Sequence, residues 1–434
     1  MNPAAATPHR QAPAPASLAG LRVLDLSRVL AGPWCTQTLG DLGADVVKVE
    51  RPGRGDDTRA WGPPFLPDAA GAGTGESAYY LGTNRNKRSI AIDLAHPAGQ
   101  ALVRELACRA DVLVENYKVG DMARYGLDYA TLHALNPQLV YCSITGYGQT
   151  GPDRGRAGYD AAIQGRGGLM SVTGPAPDEV ADDHPGGGPH KVGVAVADLF
   201  TGLYATVGIL AALRHRDAAG WRSGLGQHLD MALLDTQVAM LANLGAQHLV
   251  GGGVPGRLGN AHPTIVPYQV FAAADGHLIL AVGNDAQFVR CCTVLGCPEL
   301  AADPRYAGNA ERVRHREQLV PQLAERLRGG RRDDWLAALD AVDVPCGPIQ
   351  SIDQVFADPQ VRARGMVETV PHPLDAALRL VASPLKLSAT PAATRRPPPR
   401  LGEHAEDVLA DWLGWDAART AALRAGGALG PALP

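Results

Sequence analysis

Between residues 199 and 213 the chain carries no charge, and its apolar residues fall on every side of a helical projection. A helix that is hydrophobic all round is a buried one, so this segment predicts the central helix of a core. The residues before it, 192–197 (Val-Gly-Val-Ala-Val-Ala), are small, apolar and partly β-branched. One ionisable residue, Asp198, stands at the mouth of the helix. A carboxylate there can accept hydrogen bonds from the first free N–H groups and feels the positive end of the helix dipole, so it can stay ionised. Two roles fit it: an N-cap, or a nucleophilic carboxylate held in a dry site.

Around this segment, short apolar runs alternate with helical patterns. Residues 21–26 read as a strand, Gly32-Pro33 turn the chain into a helix to about Leu42, and 44–50 read as a second strand. That is a βαβ unit, so this part of the chain predicts a doubly wound α/β sheet. Residues 52–75 read as Gly/Pro-rich loop, and further strands are predicted at 89–94, 111–117 and 139–145. An amphipathic helix over 97–110 and two short helices before 139 connect them. Ligands in open α/β sheets sit beyond the carboxyl ends of strands, which brings Asn116 and Tyr117 forward. A loop over 146–158 leads into Tyr159-Asp160, and 175–189 reads as a mobile Gly/Pro/Asp insertion. A strand at 227–231 and a long helix to about Val250 run up to a glycine-rich break at 251–256. Asp275-Gly276, between the apolar runs 268–274 and 277–282, predicts a hairpin that opens a smaller α+β domain. Residues 391–400 predict an extended proline-rich strap, and 403–413 a last helix.

Composition narrows the class. At 434 residues the chain has room for two domains, and 46% apolar with 19% charged residues is ordinary for a globular protein. A net charge of −4 and the lack of a basic run argue against a nucleic-acid partner. Seven cysteines with no C-x-x-C spacing predict reduced thiols and a cytoplasmic location. The uncharged stretches are broken by glycine and threonine or fall short of the ~20 apolar residues of a spanning helix, so no membrane is expected. Residues 1–16 read as a disordered leader without the apolar core of a signal peptide. No metal is expected, because the histidines are scattered; no G-x-G-x-x-G follows the first strand, and no P-loop or G-x-S-x-G occurs. The cluster Asn84-Arg85-Asn86-Lys87-Arg88 reads as a solvated turn or as a receiver of an anion. Composition and spacing stop at an α/β enzyme with a buried carboxylate.

A resemblance goes further. Residues 23–33 and 43–53, Asn86-Lys87-Arg88-Ser89-Ile90, Val114-Glu115-Asn116-Tyr117, Gly146-Tyr147-Gly148 and Gly158-Tyr159-Asp160 are similar to the class III coenzyme A transferases, relatives of formyl-CoA transferase and carnitine CoA-transferase. Asp198-Leu199 with Thr201-Gly202, Gly259-Asn260-Ala261-His262-Pro263, Pro345-Cys346-Gly347-Pro348 and Leu401-Gly402-Glu403-His404 continue the likeness in family order. Residues 55–65, Tyr79-Tyr80-Leu81, 84–87, 141–152 and 265–269 resemble the succinyl-CoA–glutarate branch most.

The resemblance implies a transferase that moves CoA from an acyl-CoA to a free carboxylic acid, here a dicarboxylic one, with CoA as substrate and no permanently bound cofactor. Asp198 matches the family's catalytic aspartate, which forms an anhydride with the acyl group and then a thioester with CoA. Leu30, Ala31, Arg51, Ile92, Asn116, Tyr117 and Arg124 match CoA-lining positions. Ala95 stands where formyl-CoA transferases often carry a phosphate-binding lysine. Tyr79, Tyr159, Gly259 and Asn260 match substrate-side positions, with Gly259-Asn260 on a mobile glycine loop. Arg85 is the expected partner of a terminal carboxylate. The related α-methylacyl-CoA racemases carry a histidine where Tyr159 stands, and a phenol with a pKa near 10 is a poor base at neutral pH, which favours the transferase. The alternatives are a racemase-like isomerase and a non-catalytic acyl-CoA-binding protein. The implied fold is α/β: a Rossmann-like large domain built from both chain ends, a smaller α+β domain, and an interlocked, ring-shaped homodimer. The expected division is a leader at 1–16, the CoA-binding domain at 17–215, a linker at 216–256, the small domain at 257–330, and a return segment at 331–434.

Overall fold

The computed structural model describes residues 16–68, 71–177, 180–182, 184–217 and 223–431. Residues 1–15 of the expected leader, and 178, 179 and 183 of the expected mobile insertion, lie outside the described residues. The chain forms two compact units: Met1–Gly167 with Val194–Met240 and Gln360–Pro434, and Gly168–Gly193 with Leu241–Pro359.

The first unit is built on six parallel strands, β1 (Arg22–Asp25), β2 (Asp45–Glu50), β3 (Lys87–Ala91), β4 (Val112–Glu115), β5 (Val140–Thr145) and β6 (His228–Ala232). They lie in the order β3-β2-β1-β4-β5-β6, so the winding reverses between β1 and β4. Both faces of the sheet are covered, which is why the strands read as continuous apolar runs. One face packs Leu24, Val47, Ile90 and Leu113 against helices Pro97–Ala107 and Ala405–Leu413. The other packs Val23, Val46, Val112 and Val114 against helix α1 (Ala31–Asp41) and the central helix α2 (Val196–Asp217).

Helix α2 is where the pattern misleads first. By length and composition it could cross a membrane, yet Ala197, Ala205, Ile209 and Ala212 are buried against the sheet. A Cβ on Gly202 would stand 2.5 Å from the Ala31 carbonyl oxygen, so α2 approaches the start of α1 as closely as backbone allows. The opposite face is not buried as expected: Phe200, Leu203, Tyr204 and Val207 are exposed, Val207 at 62%. Apolarity all round marks a helix that needs cover on every face, and among the described residues the face carrying Phe200, Leu203, Tyr204 and Val207 is left uncovered.

The cluster at 84–88 is not a solvated turn. All five residues are buried, and the charged ones are paired internally. Lys87 Nζ meets Asp25 Oδ2 at 3.0 Å, the Pro33 carbonyl at 3.0 Å and Asn84 Oδ1 at 2.9 Å. Arg88 bridges Asp45 and Asp411. Buried cations persist only when matched in this way. The strap over 391–400 forms no helix or strand and is tied down by the Asn86 side chain at Ala393 and Arg395.

Other differences are local. The loop 52–75 carries a short hairpin, Phe65–Pro67 with Gly73–Ser77. The helix after β6 breaks into Leu233–Ala239 and Ala242–Gly251, with Ala242 at φ 44°. Helix Ala405–Leu413 is not the last, because Asp416 caps a further one, Ala417–Ala425.

The second unit holds a three-stranded antiparallel sheet of Tyr268–Ala273, Gly276–Ala281 and Cys346–Pro348, with Gly276–Ala281 in the middle. The hairpin turn comes at Ala274-Asp275, one residue ahead of the expected pair. Phe271, Leu278, Leu280, Phe288, Leu319 and Leu323 join the sheet and its helices into one core.

Candidate active site

A cavity of about 550 Å³ opens at the point where the sheet reverses. Its walls come from the turn after β1 (Arg28, Val29, Leu30, Ala31), the turn after β4 (Asn116, Tyr117, Lys118), the end of β5 (Ile144, Thr145) and Asp198 of α2. This is the crevice at which open α/β sheets bind ligands. The β1 turn is held hard. Val29 takes φ 71°, a costly conformation for a β-branched residue, and its N–H is 3.2 Å from Asp56 Oδ1. Asp56 is fixed in turn by Lys48 at 2.9 Å; burial would raise its carboxyl, but Lys48 and the Thr58 hydrogen bonds bring it to about 2. The Asn116 side chain clamps the Arg28 peptide, accepting its N–H at 2.8 Å and donating to its carbonyl at 2.6 Å.

Asp198 is the third residue of α2, not its N-cap. The cap is Asp160, from helix Asp160–Arg166: its Oδ1 accepts the Ala197 N–H at 2.8 Å and lies 3.4 Å from the Asp198 nitrogen. Its Oδ2 accepts from Gln164 at 2.6 Å. Among the described residues no group donates to the Asp198 carboxylate. Burial, and then the negative charge of Asp160, push its pKa up to about 7. The N–H groups expected to donate to this carboxylate are held by Asp160 instead. The helix terminus is spent on Asp160, and Asp198 is left bare, basic and facing the cavity.

The other expected residues fall into groups. Leu30, Ala31, Asn116, Tyr117 and Tyr159 line the Asp198 cavity, with Tyr159 68% exposed. Tyr79 packs edge-on to the cavity residue Trp61, ring centroids 5.4 Å apart, and burial together with the charges of Asp198, Asp160 and Asp56 pushes its phenol up to about 12. A second cavity, about 520 Å³, shares Arg28, Asp57 and Tyr117 with the first. It is lined further by Arg51, Arg54, Ile92 and Ala95. Arg124 lines neither cavity; it is exposed, 3.1 Å from Asp121, and lies over the Tyr125 ring. Gly259 and Asn260 form a turn in the second unit, where the Gly259 N–H bonds the Gly174 carbonyl at 3.1 Å.

Arg85 is displaced from its expected role. Its guanidinium forks onto Asp41, Nε to Oδ1 at 2.8 Å and Nη2 to Oδ2 at 2.5 Å, and its Nη1 donates to the Val381 carbonyl at 3.0 Å. It is 5% exposed and lines neither cavity, so it braces the fold and meets no terminal carboxylate. Sequence reasoning missed Arg28, Trp61, Arg154 and Arg156 on the walls of the first cavity. The signal for the last two was available: both stand on the loop that runs into Tyr159-Asp160.

The arrangement offers a basic, unliganded carboxylate in a crevice that continues into a second cavity with arginines at its rim. Such a site suits covalent acyl chemistry on a long, anionic carrier. Residues 18–405 match the model of CoA-transferase family III. A succinate–glutarate CoA-transferase of Agrobacterium fabrum is 51% identical over 404 residues, 93% of this chain and 96% of that one. The human succinyl-CoA:glutarate CoA-transferase is 44% identical over 399 residues, 92% of this chain and 86% of that one. The solved structure of a CAIB/BAIF family protein from Brucella suis is 46% identical, with a TM-score of 0.79, covering 92% of this chain and 99% of that one. The chain belongs to CoA-transferase family III.

Proposed function

We propose that the chain moves CoA from succinyl-CoA or a similar donor to a free dicarboxylic acid, with Asp198 as the nucleophile. The observation that carries this reading is the bare Asp198 carboxylate, raised to about 7, in the crevice at the sheet's reversal. A family III enzyme transfers CoA between acids, so a carboxylate that can be acylated is the group it needs. Asp198 attacks the thioester carbonyl, the C–S bond breaks, and an aspartyl–acyl anhydride forms with release of CoA thiolate. The thiolate attacks the Asp198 carbonyl carbon, freeing the donor acid and leaving an aspartyl–CoA thioester. The incoming carboxylate attacks that thioester and expels the thiolate, which then attacks the acyl carbonyl of the new anhydride. The products are the new acyl-CoA and free Asp198.

Burial serves this chemistry by making the carboxylate more basic, hence a stronger nucleophile once ionised. Leu30, Ala31, Asn116 and Tyr117 line the path of the pantetheine arm in this reading, and Arg51 receives a phosphate at the rim of the second cavity. The relatives' activity on succinyl-CoA and glutarate supports a dicarboxylic substrate. The order of the parallel sheet supports a Rossmann-like assignment for the large domain. The exposed apolar stripe of α2 supports a homodimer, interlocked as the family resemblance implies. A cytoplasmic location fits the reduced cysteines.

Asp198→Asn tests the reading. An amide of the same size cannot form the anhydride, so steady-state transfer should fall at least ~10³-fold while CoA binding persists. Transfer at the parent rate by a homogeneous preparation, shown by mass to be free of deamidation, contradicts it.

A further inference from the structure

Four cations line the Asp198 cavity: Arg28, Lys118, Arg154 and Arg156. Two are already engaged. Arg28 pairs with Asp57 at 2.9 Å and lies over the Tyr117 ring. Arg156 pairs with Asp153 at 3.2 Å and reaches over Tyr147. Asp153 is shared with Arg166, and among the described residues it makes no ion pair with Arg154. Among the described residues the Arg154 guanidinium has no ion pair or hydrogen bond; only its backbone N–H is bonded, to Gly151.

The loop that carries it is closed by backbone contact. A Cβ on Gly146 would stand 2.5 Å from the Gly158 Cα, and one on Gly158 would stand 2.4 Å from the Gly146 Cα. Only glycines allow the two ends of the loop to touch. The closed loop then runs through Tyr159 into Asp160, the residue that caps α2 beside Asp198. Arg154 and Asp198 thus line one cavity, Arg154 from the loop that ends beside the helix cap. Arg28 and Tyr117 mark the side where the second cavity joins. Lys118 directly follows Tyr117 on that side.

We infer that Arg154 is a specificity-determining residue, binding the distal carboxylate of a dicarboxylic acyl group or acceptor acid. This rests on the reading of Asp198 as nucleophile and of the substrates as diacids. The thioester carbonyl must reach Asp198 from the second-cavity side, so the rest of the acyl chain extends into the first cavity, whose wall includes Arg154, a residue the second cavity does not share. A diacid brings a second carboxylate into that space, and a guanidinium with both edges free can take it through two parallel charge-assisted hydrogen bonds. As the acyl chain displaces water from the cavity, that pairing strengthens. A monocarboxylic acyl group leaves Arg154 in solvent at no cost.

The test is the half-reaction, formation of the enzyme–CoA thioester, followed by intact mass in single turnovers with succinyl-CoA and with butyryl-CoA. Arg154→Gln should slow the succinyl-CoA reaction roughly 100-fold and the butyryl-CoA reaction no more than about threefold. Arg154→Lys, which keeps the charge without the fork, should recover about tenfold of the loss. Equal losses with both donors, or an unchanged succinyl-CoA rate, overturn the inference. The parent separates the two levels of the argument. If it reacts no faster with succinyl-CoA than with butyryl-CoA, the diacid reading fails and takes the inference with it. If the parent prefers succinyl-CoA and Arg154→Gln keeps that preference, the assignment of Arg154 alone is wrong.

Discussion

Asp160 caps the helix whose third residue is Asp198, and so holds the N–H groups that would otherwise stabilise the Asp198 carboxylate. One carboxylate is fixed and hydrogen-bonded; its neighbour is bare and raised to about 7. The division of labour between the two sets the pH response of the site.

Burial is the first cause of the Asp198 shift and the Asp160 charge the second. Asp198 must be ionised to attack, so kcat/KM should rise with pH to a plateau, half-maximal near 7 in the parent. Asp160→Asn keeps an oxygen for the helix N–H groups and removes the charge. Asp198 should then ionise more easily, moving the acid limb to lower pH. A pH–rate profile of the two proteins checks this. An unmoved limb means that Asp160 has no electrostatic hold on the nucleophile.

Arg85→Met should act on stability and not on substrate choice. The change strands Asp41, whose carboxyl burial already pushes up against the pull of Arg85 and Asn86. Breaking a buried pair costs about 3–5 kcal/mol, and Asp41 can take a proton, which holds the loss toward the lower figure. Urea unfolding should show it, with transfer from succinyl-CoA and butyryl-CoA reduced alike. Unchanged stability with a loss confined to succinyl-CoA would return Arg85 to the substrate.

These cases mark what a sequence can carry. The parallel sheet was legible because strands buried on both faces leave unbroken apolar runs, as in Val112 to Val114. Asp198 stood out in the sequence as a lone charge at the mouth of an uncharged helix. Its ionisation was not legible, because that depends on burial and then on Asp160, distant in sequence and near in space. Arg85 misled for the same reason. A run of cations looks alike in sequence whether water or buried carboxylates receive it, and Asp41, Asp45 and Asp25 arrive from other elements. The exposed face of α2 was illegible because hydropathy reports the need for cover and not whether this chain supplies it. Arg154 was passed over as one more loop arginine. Only the pairing of its neighbours leaves it conspicuous.

The central claim is that Asp198 is acylated and then carries CoA. Hydroxylamine added during turnover with succinyl-CoA and glutarate intercepts an aspartyl anhydride or thioester as a hydroxamate, and peptide mapping by mass locates it. The account predicts the label on Asp198, dependent on succinyl-CoA and absent from Asp198→Asn. A label on Asp160 or Glu50, or full turnover with no trapped carboxylate, would contradict it.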